Sequence, residues 1–117
     1  MTEILKGKVK TVYDVPEQAD KVKIVFHDKV TAWNGKHVEY PEEKGKVCCL
    51  ISALLFELME RNSIKTHFIG TEGLDTLLCK KLTIIPVEFI VRNIAAGSIV
   101  KTTTISEGTL INPPIVE

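Results

Sequence analysis

Between residues 45 and 62 the apolar residues change period, and that change does most to limit the fold. Val47, Leu50, Ile51, Leu54, Leu55 and Leu58 recur at three- and four-residue steps, while Lys46, Glu57, Glu60 and Arg61 take the other side. This spacing predicts one amphipathic helix ending at Asn62-Ser63. Around it the period is two. Leu5 to Tyr13 alternates, as does Lys21 to His27, where Val22, Ile24 and Phe26 point one way, so the two read as a hairpin of strands. Residues 64–69, 76–85 and 87–93 are rich in β-branched and apolar residues and are separated by Gly70, Gly73 and Pro86, which gives three more strands. Pro86 cannot donate to a ladder and marks a bend. Asn34-Gly35 and Pro41 make residues 28–44 a loop, with at most a short strand from Val30 to Trp33, and residues after Ala95 form a less regular tail. One helix among strands predicts an α+β fold, a twisted, mainly antiparallel sheet of about five strands with the helix on one face.

At 117 residues, 1–117 is expected to form a single domain or one lobe of something larger. Hydrophobic residues at 44% are enough for a core. Fifteen basic residues balance fifteen acidic ones, so no global field draws in a nucleic acid or an anionic membrane. The first residues carry no apolar stretch of signal-peptide length, and no run approaches a membrane span, so a cytoplasmic location is expected. Cys48, Cys49 and Cys79 lack metal-ligand spacing and are expected to be buried free thiols.

Two segments could carry chemistry. Lys6, Lys8 and Lys10, at spacing two on one strand face, suit either a solvated edge or a bound anion, and Gly7 would admit a ligand close to the backbone. Val91-Arg92-Asn93-Ile94-Ala95-Ala96-Gly97-Ser98 offers a guanidinium, amides and a hydroxyl; it suits a phosphate or carboxylate, or a capped strand end with a tight turn. His27, His37 and His67 show no metal-ligand spacing, and no nucleophile-base pair stands out.

The order of these pieces resembles a known family. Gly7-Lys8-Val9-Lys10-Thr11-Val12-Tyr13, Thr31-Ala32-Trp33-Asn34-Gly35, Lys44-Gly45, Ile85-Pro86-Val87-Glu88, the segment from Val91 to Ser98, Glu107-Gly108 and Pro113-Pro114 together are similar to the N-terminal, ATP-binding part of SAICAR synthetase. That family joins a carboxyaminoimidazole ribonucleotide to aspartate in purine biosynthesis, using ATP and magnesium, through an acyl phosphate. The resemblance implies that Lys8 and Lys10 contact ATP phosphates and that Val12 and Ile24 line the adenine pocket. It makes residues 81–88, especially Leu82 and Ile84, a kinase-like adenine hinge, and has Arg92 and Ser98 bind the imidazole nucleotide.

Two departures accompany it. Cys48-Cys49 stands where the family carries an Asn pair, and the chain reaches Glu117 before the family's acidic segments and magnesium carboxylates. The expectation is a shortened relative that is inactive alone. Its implied partners are a complementary half, a full-length homologue or a second copy; the alternative is a non-catalytic nucleotide-binding or protein-interaction module.

Overall fold

A computed structural model describes residues 1–117, which form two units, 1–83 and 84–117. The first runs β1 (Glu3–Lys6), β2 (Lys10–Asp14), β3 (Lys21–Phe26), β4 (Val30–Ala32), β5 (His37–Glu39), α1 (Lys44–Arg61), β6 (Phe68–Glu72) and β7 (Thr76–Lys80). Five of these strands make one antiparallel sheet in the order β1-β2-β3-β7-β6, and β4 and β5 form a separate ribbon. The α+β class and the helix limits agree with the sequence reading.

Register fixes the two faces of the sheet. Val12 pairs with Ile24 and Ile24 with Leu77, so these side chains lie in one row; Thr11, Val25 and Thr76 form the next row, on the opposite face. The Val12 face meets α1. Val22, Leu77, Cys79 and Phe68 from the sheet close on Cys49 and Ala53 from the helix, and Phe56 stacks on Phe68 with ring centroids 5.7 Å apart.

The helix uses a different face from the expected one. Gly45, Cys49 and Ala53, at four-residue steps, are its buried residues, while Val47, Leu50, Ile51, Leu54, Leu55 and Leu58 are each between 51% and 60% exposed. Small side chains let the helix come close to the strands. At Gly45 the approach is closest: an added Cβ would lie 2.8 Å from the Phe26 carbonyl oxygen, and its N–H donates to the Asp28 carboxylate at 2.8 Å.

The opening segment is two strands rather than one. Residues 7–9 turn the chain, with the Gly7 N–H donating to the Lys10 carbonyl at 2.8 Å, so Leu5 pairs with Val12 and Lys6 with Thr11. Lys6 therefore lies on the face opposite Lys10, and the three lysines do not share a face. The fourth and fifth expected strands also change. β7 ends at Lys80, and residues 81–90, although apolar, pair with no strand, with Pro86 at a bend. The β-branched and apolar side chains there are left in solvent, as at Ile84 (76% exposed), and join no pleated ladder.

The second unit holds β8 (Val91–Ile94), α2 (Ser98–Thr102) and β9 (Leu110–Val116). β8 and β9 pair antiparallel, Arg92 opposite Ile115, and the ribbon buries Ala95 and Ile99. The expected irregular tail thus contains a strand and a short helix.

All three cysteines are free; Cys49 and Cys79 are buried and Cys48 is half-buried. Burial pushes the Cys79 thiol up to about 11, against the lowering charge of Lys10. A thiol raised in the folded state favours folding below the unfolded value and loses that contribution as pH rises toward 11. At pH 8, iodoacetamide is expected to label Cys48 in the native chain and reach Cys49 and Cys79 only after unfolding, read by peptide mass. Equal native labelling of all three would refute their burial.

Candidate functional site

In the first unit the helix packs on β3, β6 and β7, leaving the β1–β2 end of the same sheet face free of it. Leu5, Val12 and Ile24 cross that end in one row. Val12 and Ile24 are half-buried against the core, while Leu5 is 58% exposed. The result is an apolar shelf.

The tip of the hairpin brings cations to this shelf. Lys10 opposes Phe26 in register, on the helix side of the sheet. Its charge acts there: burial first, and then the Lys10 ammonium, lower the pKa of His67, and Lys10 opposes the upward push on Cys79. Lys8 sits in the turn, which is tied to the next strand by the His27 N–H donating to the Val9 carbonyl at 2.8 Å. The turn is tight at Gly7, where an added Cβ would meet the Lys10 carbonyl oxygen at 3.2 Å. Lys8 and Lys10 are both exposed, with no carboxylate paired to either. Like charges so arranged favour an anion between them.

At the other end of β2, Lys81 donates to the Asp14 carboxylate at 2.6 Å, and its backbone N–H donates to the Asp20 carbonyl at 2.7 Å. These bonds fix where Leu82 leaves the sheet. Leu82 is exposed at 61%, and Ile84 is the first residue of the second unit.

The second unit gathers its own donor cluster. Arg92 Nη2 donates to Ser98 Oγ at 2.8 Å, Nη1 to the Ala96 carbonyl at 2.8 Å, and Nε to Glu117 at 2.6 Å. Its side chain is only 12% exposed. Three of five N–H donors are engaged, which leaves one on each terminal nitrogen for a planar anion. Gly97, at φ 70°, makes the turn that carries Ser98 back to the guanidinium.

Sequence reasoning had joined Arg92 with Ser98 and Lys8 with Lys10 by short spacing. It missed the residues that act at a distance: Glu117, which holds Arg92 from 25 positions away, and the Asp14–Lys81 pair, 67 positions apart. Asp14, the acidic residue at the end of the lysine-rich strand, was the sole local hint. No three His, Cys, Asp or Glu side chains come together to hold a metal ion, so these residues do not fit a magnesium cage. No helix is long and apolar enough to cross a membrane.

Against known proteins, the family model for SAICAR synthetase matches residues 3–117. The phosphoribosylaminoimidazole-succinocarboxamide synthases of Thermococcus sibiricus and Methanobrevibacter smithii are 46% and 44% identical over 115 and 114 residues, which are 98% and 97% of this chain but 48% and 46% of theirs. Among solved structures, a SAICAR synthetase (Type-2) in complex with ADP superposes with a TM-score of 0.86 at 37% identity, over 96% of this chain and 47% of that one. The Ehrlichia chaffeensis synthase does so with a TM-score of 0.87 at 37% identity, over 97% and 48%. This chain spans about half the length of the curated relatives it matches. The match over nearly every residue and the shared fold place the chain in the SAICAR synthetase family.

Proposed function

We propose that this chain is the nucleotide-holding part of a SAICAR synthetase, working in the ATP-dependent ligation of aspartate to carboxyaminoimidazole ribonucleotide. The observation that carries the reading is the apolar row Leu5, Val12 and Ile24 with the unpaired cations Lys8 and Lys10 at the adjoining hairpin tip, in a fold whose solved relative is in complex with ADP. Adenine would lie on Val12 and Ile24 in the first unit, with Leu82 as its hinge. The phosphates would meet Lys8 and Lys10, whose charges favour the nucleotide and oppose its self-repulsion. In the second unit, Arg92 and Ser98 would hold the imidazole nucleotide, the planar guanidinium held in orientation by Glu117 and the Ala96 carbonyl.

The reaction passes the terminal phosphoryl group of ATP to the substrate carboxylate, after which the aspartate amine displaces phosphate to form the amide. Because these residues form no metal cage, their own contribution is binding and orientation. The same observation, with Cys48-Cys49 in place of an Asn pair, favours a second reading, a nucleotide-binding module without turnover. Either reading places the chain in the cytoplasm, where ATP and free thiols persist.

Replacing both Lys8 and Lys10 with alanine is expected to weaken ADP binding about a hundredfold, at roughly 1.5 kcal/mol for each charge-assisted contact. Isothermal calorimetry on the two proteins measures it. Equal affinity would remove the phosphates from this turn.

A further inference from the structure

We infer that the cavity between the start of α1 and the β6–β7 turn binds a free α-amino acid with a large apolar side chain. The cavity measures about 310 Å³, the lower end of the range for small-ligand sites. Val47 and Leu50 of the helix form one wall, and Gly73 and Leu74 of the turn form the other. Cys49 lies deepest, at 1% exposure, whereas Val47, Leu50 and Leu74 are all more than half exposed. An apolar group seated among these three would leave water and shield them from it. The space stays open because the helix meets the sheet through Gly45, Cys49 and Ala53, and because Gly73 brings no side chain to fill it; an added Cβ there would meet nothing within 4 Å. The nucleotide shelf is elsewhere, at the β1–β2 end of the sheet, beyond β3 and β7 from this edge.

The charges at the rim select the ligand class. Glu43 and Lys46 are the charged residues that line the cavity, and they pair with each other at 3.0 Å, both largely in solvent. The hydrogen bond from Glu43, and then its charge, raise the pKa of Lys46, which keeps the ammonium charged at neutral pH. A lone anion would gain Lys46 but meet Glu43, and a lone cation the reverse. A zwitterion with both charges on one carbon matches both: its ammonium donates to the Glu43 carboxylate, and Lys46 donates to its carboxylate. An exposed ion pair contributes little, so opening Glu43–Lys46 costs less than the two charge-assisted bonds that replace it contribute. The third substituent of that carbon then points to Val47, Leu50 and Leu74. A leucine or phenylalanine side chain suits those walls, whereas aspartate would bring a second carboxylate out of water with no cation to meet it.

Amide correlation NMR on the isotope-labelled 117-residue chain, titrated with L-leucine, tests this without reference to nucleotide binding. Saturable shifts are expected at the amides of Val47, Leu50 and Leu74, with a dissociation constant on the order of 1 mM for so small a ligand. Isocaproate, which is leucine without its ammonium, and isoamylamine, which lacks the carboxylate, should each bind about tenfold more weakly or worse. Glu43→Gln and Lys46→Gln should each weaken leucine by about tenfold, and Leu50→Trp, which fills the cavity, should abolish its shifts. All three positions are exposed, so the native circular dichroism should persist in each variant. Absence of saturable shifts up to about 20 mM leucine would overturn the inference. So would shifts centred on Lys8 and Lys10, equal binding of leucine and isocaproate, or an unchanged response in Leu50→Trp.

Discussion

Leu77→Ala is expected to lower the unfolding free energy of this chain by between about 2 and 5 kcal/mol, a large part of the stability of a small domain. Leu77 is 1% exposed, on a strand flanked by β3 and β6, where it shares a row with Ile24 and faces the helix residues Cys49 and Ala53. Its closest helix neighbours are small and held by the near-contact at Gly45, so the helix cannot settle inward to fill the space. The informative control is Leu54→Ala, because periodicity alone makes Leu54 the better core candidate. Leu54 is 56% exposed, so its loss should cost no more than about 0.5 kcal/mol in the monomer. Urea unfolding followed by circular dichroism compares the two. Equal costs, or a larger one for Leu54, would mean that the helix packs on the sheet through its leucine face.

That contrast shows what was legible in the sequence. The 3.6-residue period located α1 to within a residue, because solvent and core impose the same period on either face of a helix. It could not tell which face meets the sheet. Counting large apolar residues favours the leucines, whereas close packing on β3 and β7 selects Gly45, Cys49 and Ala53. The same ambiguity affected the first strand. Alternation from Leu5 to Tyr13 survives a turn at residues 7–9 unnoticed, since the residues in the turn happen to keep the pattern, and Lys6 is thereby carried to the other face. Residues 81–90 show the reverse error, where β-branched composition without a partner strand leaves Ile84, Ile85 and Val87 exposed. Both donor segments were legible because their members are close in sequence. Glu117 and Asp14 were not, since only the pairing of β8 with β9, and the course of the chain from β7, bring them to Arg92 and Lys81.

The 117 residues assayed by themselves are expected to form no succinocarboxamide from the imidazole ribonucleotide, aspartate and ATP. Adding the separately produced second half of a homologous synthetase should raise product formation on the order of a thousandfold or more above the uncatalysed background. The argument concerns charge. As the phosphoryl group moves to the carboxylate, negative charge spreads over oxygens that must be neutralised in a site closed to water. Lys8 and Lys10 supply two cations and Arg92 a third, enough to bind and orient anions. The acidic side chains, by contrast, are dispersed: Asp14 is paired to Lys81, Glu117 to Arg92, Glu72 to Lys23, and no three gather at one point. These residues gather no set of metal ligands, and the relatives, about twice as long, carry residues beyond the matched part that could supply them. Chromatography of the reaction mixture with labelled aspartate measures the amide product directly. Turnover by the purified chain alone would overthrow this division of labour. Product only on complementation selects a ligase part, and ADP binding that persists without product, even beside the second half, selects the nucleotide-binding module.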